Sequence, residues 1–423
     1  MKRRGCSPSF PAPETGSSHL FVRIPIIGAA AGVALLVQGQ IPLTIIGQQM
    51  YQQTQSFPML ALPFFMLAGS LMLGGKLGGE LLTFASKSMQ RWRGGPLSTT
   101  VVASVVFGGV SGSAVANASA LGSVLIPWQK KQGYPAPLCA ANNATSAIID
   151  ILIPPSIPLI LYSLVSNVSI ADLFTAGILP GLLMAGGFIV LCNFIARRRG
   201  YRSAESPVSR MELLLLAWRS MPALMMPVLI LLGLRFGIAT PTEIAVLAVL
   251  YSLILSMVLY RDMTWARFKV SMIEAGVATG VVMLVIMGSA IVGWILTFDQ
   301  VPQRFAEWVS ATISNPFMVI LAMNVLLLLV GMPIDLPPAI LLLGPIFVPL
   351  AASIGMDPVQ LGIVMVLNLG IGLYTPPIGT TLFISTSIAR TSLSEATREL
   401  WPFFGVAMLV LFLMSYVPAL TIY

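Results

Sequence analysis

The chain is poor in the residue types that soluble chemistry draws on: 9% of its 423 residues are charged, and it has one histidine, His19. So little charge cannot cover a soluble surface, whereas 57% hydrophobic residues and a mean hydropathy of +0.90 suit a membrane bundle. The three cysteines, Cys6, Cys139 and Cys192, fall in no CxxC or metal-ligand spacing, which leaves no disulfide framework and no zinc site. A phosphate-binding Gly-x-x-x-x-Gly-Lys-Ser/Thr loop is also missing, because Gly74-Gly75-Lys76-Leu77 lacks the first glycine and the hydroxyl. ATP-driven pumping therefore has no residues to run on. Gly109-Val110-Ser111-Gly112 fits the turn of a serine nucleophile, and an intramembrane serine protease is the alternative function it raises. That chemistry needs a base to take the serine proton, and His19 sits in a polar tail far from any helix that could present it. The expectation is a chain that is not an enzyme. The net charge of +8 is explained by basic loops that orient a membrane protein, so no nucleic-acid partner is expected.

What the chain does have is an internal repeat. Gly109, Gly122, Pro127, Gly133, Pro154, Pro155 and Pro180 recur 222 positions later as Gly331, Gly344, Pro349, Gly355, Pro376, Pro377 and Pro402. Both copies centre on a Pro-Pro pair in apolar sequence, Ile153-Pro154-Pro155-Ser156 and Thr375-Pro376-Pro377-Ile378. Interrupted hydrophobic segments at matching positions of two halves point to a transporter's binding site.

Basic residues set the expected topology. Arg197-Arg198-Arg199, Lys130-Lys131, Arg91 and Arg93 are placed in the cytoplasm. Residues 97–128 lie between two such basic loops and are interrupted near Gly108 to Ser113, leaving each arm short of the roughly twenty residues a crossing requires. The segment is expected to be a re-entrant hairpin opening to the cytoplasm, followed by a broken crossing at 136–169. Residues 316–353, with no Lys or Arg at either mouth, form the matching hairpin from the outside, followed by a broken crossing at 358–388 and Arg390 and Arg398. The resulting division is a polar tail at 1–23, scaffold helices at 24–96, a first transport repeat at 97–196, a loop and scaffold helices at 197–297, and a second transport repeat at 298–423. The fold class is an all-α polytopic membrane protein with two inverted repeats, each a re-entrant helical hairpin followed by a broken transmembrane helix.

Proline removes a backbone donor, so each Pro-Pro pair leaves carbonyls free at mid-membrane depth, where irregular backbone survives only if protein buries it or it lines a cavity. Unwound carbonyls suit sodium, and helix N-termini suit anions. The hairpin tips Gly108 to Ser113 and Gly331 to Asp335 add glycines that let backbone approach a ligand, and hard oxygens from Ser111, Ser113 and Asp335. Plainer readings stand beside these. Ser111 and Ser113 can back-bond to helix carbonyls, and Asn142 and Asn143 can bond between helices as readily as to a ligand.

These residues resemble the large membrane subunit of tripartite ATP-independent periplasmic (TRAP) transporters, the DctM-like family. The resemblance lies in Ser111-Gly112-Ser113 with Ala116, Ala118 and Gly122, in Lys131-Gln132-Gly133-Tyr134, and in Ile153 through Pro158. It continues in Leu179-Pro180-Gly181, in Met332 through Asp335, in Thr375-Pro376-Pro377-Ile378-Gly379 and in the Phe-Pro and Pro-Phe-Phe pattern of residues 57–69. It runs from Pro25 to the C-terminus. It implies a sodium-driven, elevator-type importer of a small organic acid, such as a dicarboxylate or sugar acid, in the bacterial inner membrane. Sodium is the coupling ion and no other cofactor is expected. The implied partners are a small TRAP membrane subunit, a periplasmic substrate-binding protein and the lipid bilayer. By this likeness Ser111, Ser113, Pro154 and Pro155 border one cation site, and Gly331, Asp335, Thr375 and Pro376 the other. The anion lies between the tips, with Asn117, Asn142, Asn143 and Ser156 as candidate polar contacts.

Two departures from the family stand out. Its members begin with a hydrophobic span, whereas residues 1–23 here are polar and include Pro8, Pro11, Pro13 and Glu14, so that span is expected to be absent or replaced. No apolar h-region follows the basic start, which argues against a signal peptide. Asp150 stands four residues before Pro154, where the family more often has a small residue. A carboxylate there costs about 2.5 to 3.5 kcal/mol and is expected to cap the broken helix, meet a basic residue or face a polar cavity.

Overall fold

A computed structural model describes residues 43–201, 209–313 and 315–423. The polar tail at 1–23, the start of the 24–96 scaffold segment and His19 lie outside them. The described residues are helical throughout, without a strand.

The chain opens with α1 (Leu43–Thr54), α2 (Ala61–Leu73) and α3 (Lys76–Met89). The last two are bent by 71° across Gly74 and Gly75. Arg267 clamps the bend by donating Nη2 to the Leu71 carbonyl at 2.6 Å and pairing with Asp262, whose Oδ2 also accepts the Lys76 amide at 2.6 Å. The helices α4 (Gly95–Ser111) and α5 (Ala114–Lys131) form the first hairpin, then α6 (Ala136–Ser146) and α7 (Ile157–Ser166) the first broken helix, and α8 (Ile170–Arg199) closes the repeat. Between the repeats run α9 (Arg210–Arg235), α10 (Pro241–Ile254, extended by a wide turn to Leu259), α11 (Trp265–Phe298) and α12 (Val301–Thr312). The second repeat has a hairpin of α13 (Pro316–Gly331) and α14 (Leu336–Ser353), a broken helix of α15 (Pro358–Gly372) and α16 (Thr380–Ala389), and α17 (Leu393–Tyr416).

The two copies correspond helix by helix. Both Pro-Pro bonds, Pro154-Pro155 and Pro376-Pro377, are cis. Gly133 and Gly355, which end the return arms α5 and α14, both turn the chain at positive φ, 87° and 74°. Such φ values favour glycine, which has no Cβ to clash. Contacts between the copies are reciprocal, with α5 against α16 and α14 against α7, and α6 against α17 and α15 against α8. An outer layer of α1 to α3 and α9 to α12 meets this inner body at α4, α8 and α14.

Burial follows the membrane pattern. Side chains of α6 and α15 are buried almost all round, whereas α9 and α11 expose Leu214, Trp218, Leu229, Ile273 and Val277. Six helices among the described residues are long and apolar enough to cross a membrane, seven if α2 and α3 count as one bent span. The halves of the broken helices, 11 and 10 residues in the first and 15 and 10 in the second, fall short of the roughly twenty residues a crossing requires. No half of either broken helix is long enough to cross alone.

Candidate functional site

Each hairpin tip sits on the break of its own repeat. In the first, α4 ends at Gly112 in the left-handed conformation (φ 63°), and Ser113 then caps α5 by accepting the Ala116 amide at 3.4 Å. Gly112 lies so close to the Pro155 carbonyl that a Cβ would overlap it. In the second, Gly331 at the end of α13 presses on Gly372 and Leu369 of α15. The turns bring the C-termini of α4 and α13, which attract cations, beside the N-termini of α5 and α14, and Gly112 lies against the start of α7 at Ile157.

Oxygen atoms are free at both breaks. Among the described residues the carbonyls of Ile153, Pro154 and Pro155, and those of Thr375, Pro376 and Pro377, accept no backbone N–H. A carbonyl left unbonded at this depth seeks a ligand, because lipid and packed side chains cannot donate to it. Asp150 reaches the first site from the break, where its Oδ2 accepts the Ser111 hydroxyl at 3.0 Å and the Ser113 amide at 2.9 Å. Its Oδ1 has no hydrogen-bond partner and the residue is fully buried. In the second site half-buried Asp335 caps α14 through the Leu336 amide at 3.0 Å, and the Thr375 hydroxyl bonds back to the Ile371 carbonyl at 2.7 Å.

The four residues read from sequence as anion contacts separate into two groups. Asn117 belongs to the first site: it is buried one turn into α5, its Oδ1 accepts Ser104 at 3.3 Å, and its amide faces Asp150 with no hydrogen-bond partner. Asn142 donates to the Leu97 carbonyl at 3.0 Å, Asn143 donates to the Ala118 carbonyl and the Ser385 hydroxyl at 2.9 Å each, and Ser156 caps α7. Asn142 and Asn143 join helices within the body, and Ser156 bonds across the first break to the Ile151 carbonyl. Because each such bond between membrane helices is worth about 0.6 kcal/mol, Asn143→Ala is expected to lower the melting temperature with no change in ligand response. Thermal melts with and without sodium check this. A half-open cleft of about 310 Å³ lies between α11 and the pair α7 and α14, lined by Leu164, Val165, Ile286, Ser289, Trp294 and Leu341.

Short apolar half-helices on either side of two Pro-Pro breaks, each met by the turn of a helical hairpin, define a polytopic membrane transporter. Comparison with known proteins gives its family. Residues 18–420 match the tripartite ATP-independent periplasmic transporter, DctM component. Protein y4mL of Sinorhizobium fredii is 71% identical over 93% of this chain and 94% of its own. The C4-dicarboxylate TRAP transporter large permease protein DctM of Pseudomonas aeruginosa is 33% identical over 94% and 92%. The sialic acid TRAP transporter large permease protein SiaM of Vibrio cholerae is 35% identical over 95% of each chain. The crystal structure of the Alcanivorax borkumensis YdaH transporter shares the fold at a TM-score of 0.66 and 14% identity, covering 95% of this chain and 98% of that one. The chain belongs to the DctM component family of TRAP transporters. It is a transporter component of the inner membrane and not an enzyme. The protease alternative finds no support, since the family is one of transporters.

Asp150 is legible in the sequence as an acid beside the break, but not as the partner of Ser111 and Ser113. The signal was there in the repeat, where an acid in one copy faces a glycine, Gly372, in the other.

Proposed function

We propose that this chain is the sodium-coupled permease of a tripartite importer, carrying a small organic acid handed over by a periplasmic binding protein and working with a small membrane subunit. The observation that carries this reading is the seating of the first hairpin tip on its Pro-Pro break, where the Ser111 hydroxyl, the Asp150 carboxylate and the Pro155 carbonyl come together, with the second tip packed on Gly372 at the end of α15. Such hard oxygens suit sodium. Relatives named for a C4-dicarboxylate and for sialic acid support a carboxylate-bearing substrate. The anion would lie between the tips, near the N-termini of α5 and α14, where helix dipoles favour negative charge.

The two hairpins and broken helices would move as one body, inserted in opposite senses, against α1 to α3 and α9 to α12. A cleft opens at part of that boundary, between α11 and the pair α7 and α14. Sodium at both tips would order the hairpins so that only the loaded body moves.

Asp335→Asn tests the cation reading. Asparagine caps a helix about as well as aspartate, so folding is retained while one full charge is lost from the second site. Half-saturation of uptake by sodium is expected to rise by at least about tenfold, or about 1.4 kcal/mol. Sodium titrations of uptake that superimpose on wild type would remove Asp335 from the ion site.

A further inference from the structure

The two tip sites are not copies of each other. Shifted by the repeat offset of 222, Ser113 falls on Asp335 and Asp150 falls on Gly372. In the first site a hydroxyl caps the return arm of the hairpin and the carboxylate stands on the broken helix. In the second site the carboxylate caps the return arm and the broken helix offers glycine. Space accounts for the second arrangement. A Cβ at Gly372 would stand 2.5 Å from the carbonyl carbon and oxygen of Gly331, so no side chain fits. At the first tip, Gly108 makes the room: a Cβ added there would lie 3.2 Å from Asp150 Oδ1.

We infer that Asp150 is the charge-bearing ligand of the first cation site, the counterpart in charge of Asp335 in the second, so that each tip closes over one monovalent cation and is neutral when filled. The inference rests on reading the tips as cation sites. A buried carboxylate without a counter-charge is costly, and none of the ion pairs among the described residues includes Asp150. Capping accounts for one oxygen only: Oδ2 takes the Ser111 hydroxyl and the Ser113 amide, while Oδ1 is fully enclosed and unbonded. A cation bound by Oδ1, the Ser111 hydroxyl oxygen and the nearby Pro155 carbonyl would satisfy the carboxylate and neutralise it. The Asn117 amide faces the same carboxylate.

The test uses the full chain purified with its small membrane partner, and sodium chloride as the probe, replacing choline chloride at constant ionic strength. Ligand that binds only the folded state raises its melting midpoint with concentration. Asp150→Asn keeps an acceptor for Ser111 and Ser113 but removes the charge. The expected result is at least a tenfold rise in the sodium concentration giving half the stabilisation, with the sodium-free midpoint unchanged or raised. A sodium-free midpoint that falls while the half-saturating concentration stays put would overturn the inference and leave Asp150 a structural cap. Where Asp150→Asn does not fold, Asp150→Ser serves, with the same two outcomes. A wild type indifferent to sodium would overturn the reading of the tips as cation sites and this inference with it. That result is distinct from a responsive wild type matched by its variant, which overturns this inference alone.

Discussion

Replacing Gly112 by alanine is expected to lower sodium-driven uptake by about a hundredfold while the protein still inserts into the membrane. Gly112 has φ 63°, which costs a residue with a Cβ roughly 1–2 kcal/mol. The added Cβ would also overlap the Pro155 carbonyl and stand 3.3 Å from the Ile157 amide nitrogen. Both neighbours are backbone at the first break, and neither can swing away as a side chain would. The tip must then lift off the break, taking Ser111 and Ser113 away from Asp150. Two tenfold steps correspond to about 2.8 kcal/mol, the sum of the left-handed cost and a modest overlap. Insertion is expected to be spared because the long apolar helices α8, α9, α11 and α17 keep their sequence. Initial uptake rates in proteoliposomes, normalised to inserted protein, measure the effect. A loss of less than about twofold, under half a kcal/mol, would mean that the tip does not need to seat for transport.

Gly372→Ala is expected to have a comparable effect at the other tip. Here φ is not the issue; close approach is. The Gly331 backbone meets the place where the new methyl would stand, and Leu369 already crowds Gly331 from the same helix. Overpacking of this kind costs about 1–3 kcal/mol where neighbours can shift, and more against backbone. The second hairpin would be held open. A cysteine introduced at Ile334, in the α13–α14 turn, should react several-fold faster with a membrane-impermeant maleimide in the Gly372→Ala background. Labelling rates and uptake equal to those of the parent would show that the second hairpin is not docked at this glycine.

The fold class was readable because the residues that broke the helices did so for backbone reasons. Gly133 and Gly355 adopt the positive φ that marks a chain reversal, and both Pro-Pro pairs fall where helices stop. Proline alone was a poorer guide. Pro180 and Pro402 belong to the same repeat yet lie inside the continuous helices α8 and α17, and Pro127 lies inside α5. Membrane helices tolerate proline when neighbours re-satisfy the freed carbonyl, and which neighbours are present is a tertiary fact. The same limit applied to the site. Ser111 and Ser113 stood out by their glycine, but their partner was a carboxylate 39 and 37 positions away that only the folding of the hairpin brings to them. Asn142 and Asn143 were open between two uses because an asparagine in an apolar helix looks alike in either. The structure gives their amides to Leu97, Ala118 and Ser385.

The central claim is that this chain couples sodium to the import of an organic acid that reaches it through a binding protein. It is tested most directly by uptake into proteoliposomes that hold the chain and its small membrane subunit. The matching binding protein is added outside, with labelled dicarboxylates and sugar acids supplied in turn. Uptake of one such acid that requires both an inward sodium gradient and the binding protein is the predicted result. Uptake that proceeds equally with the sodium gradient collapsed, or without the binding protein, would contradict it.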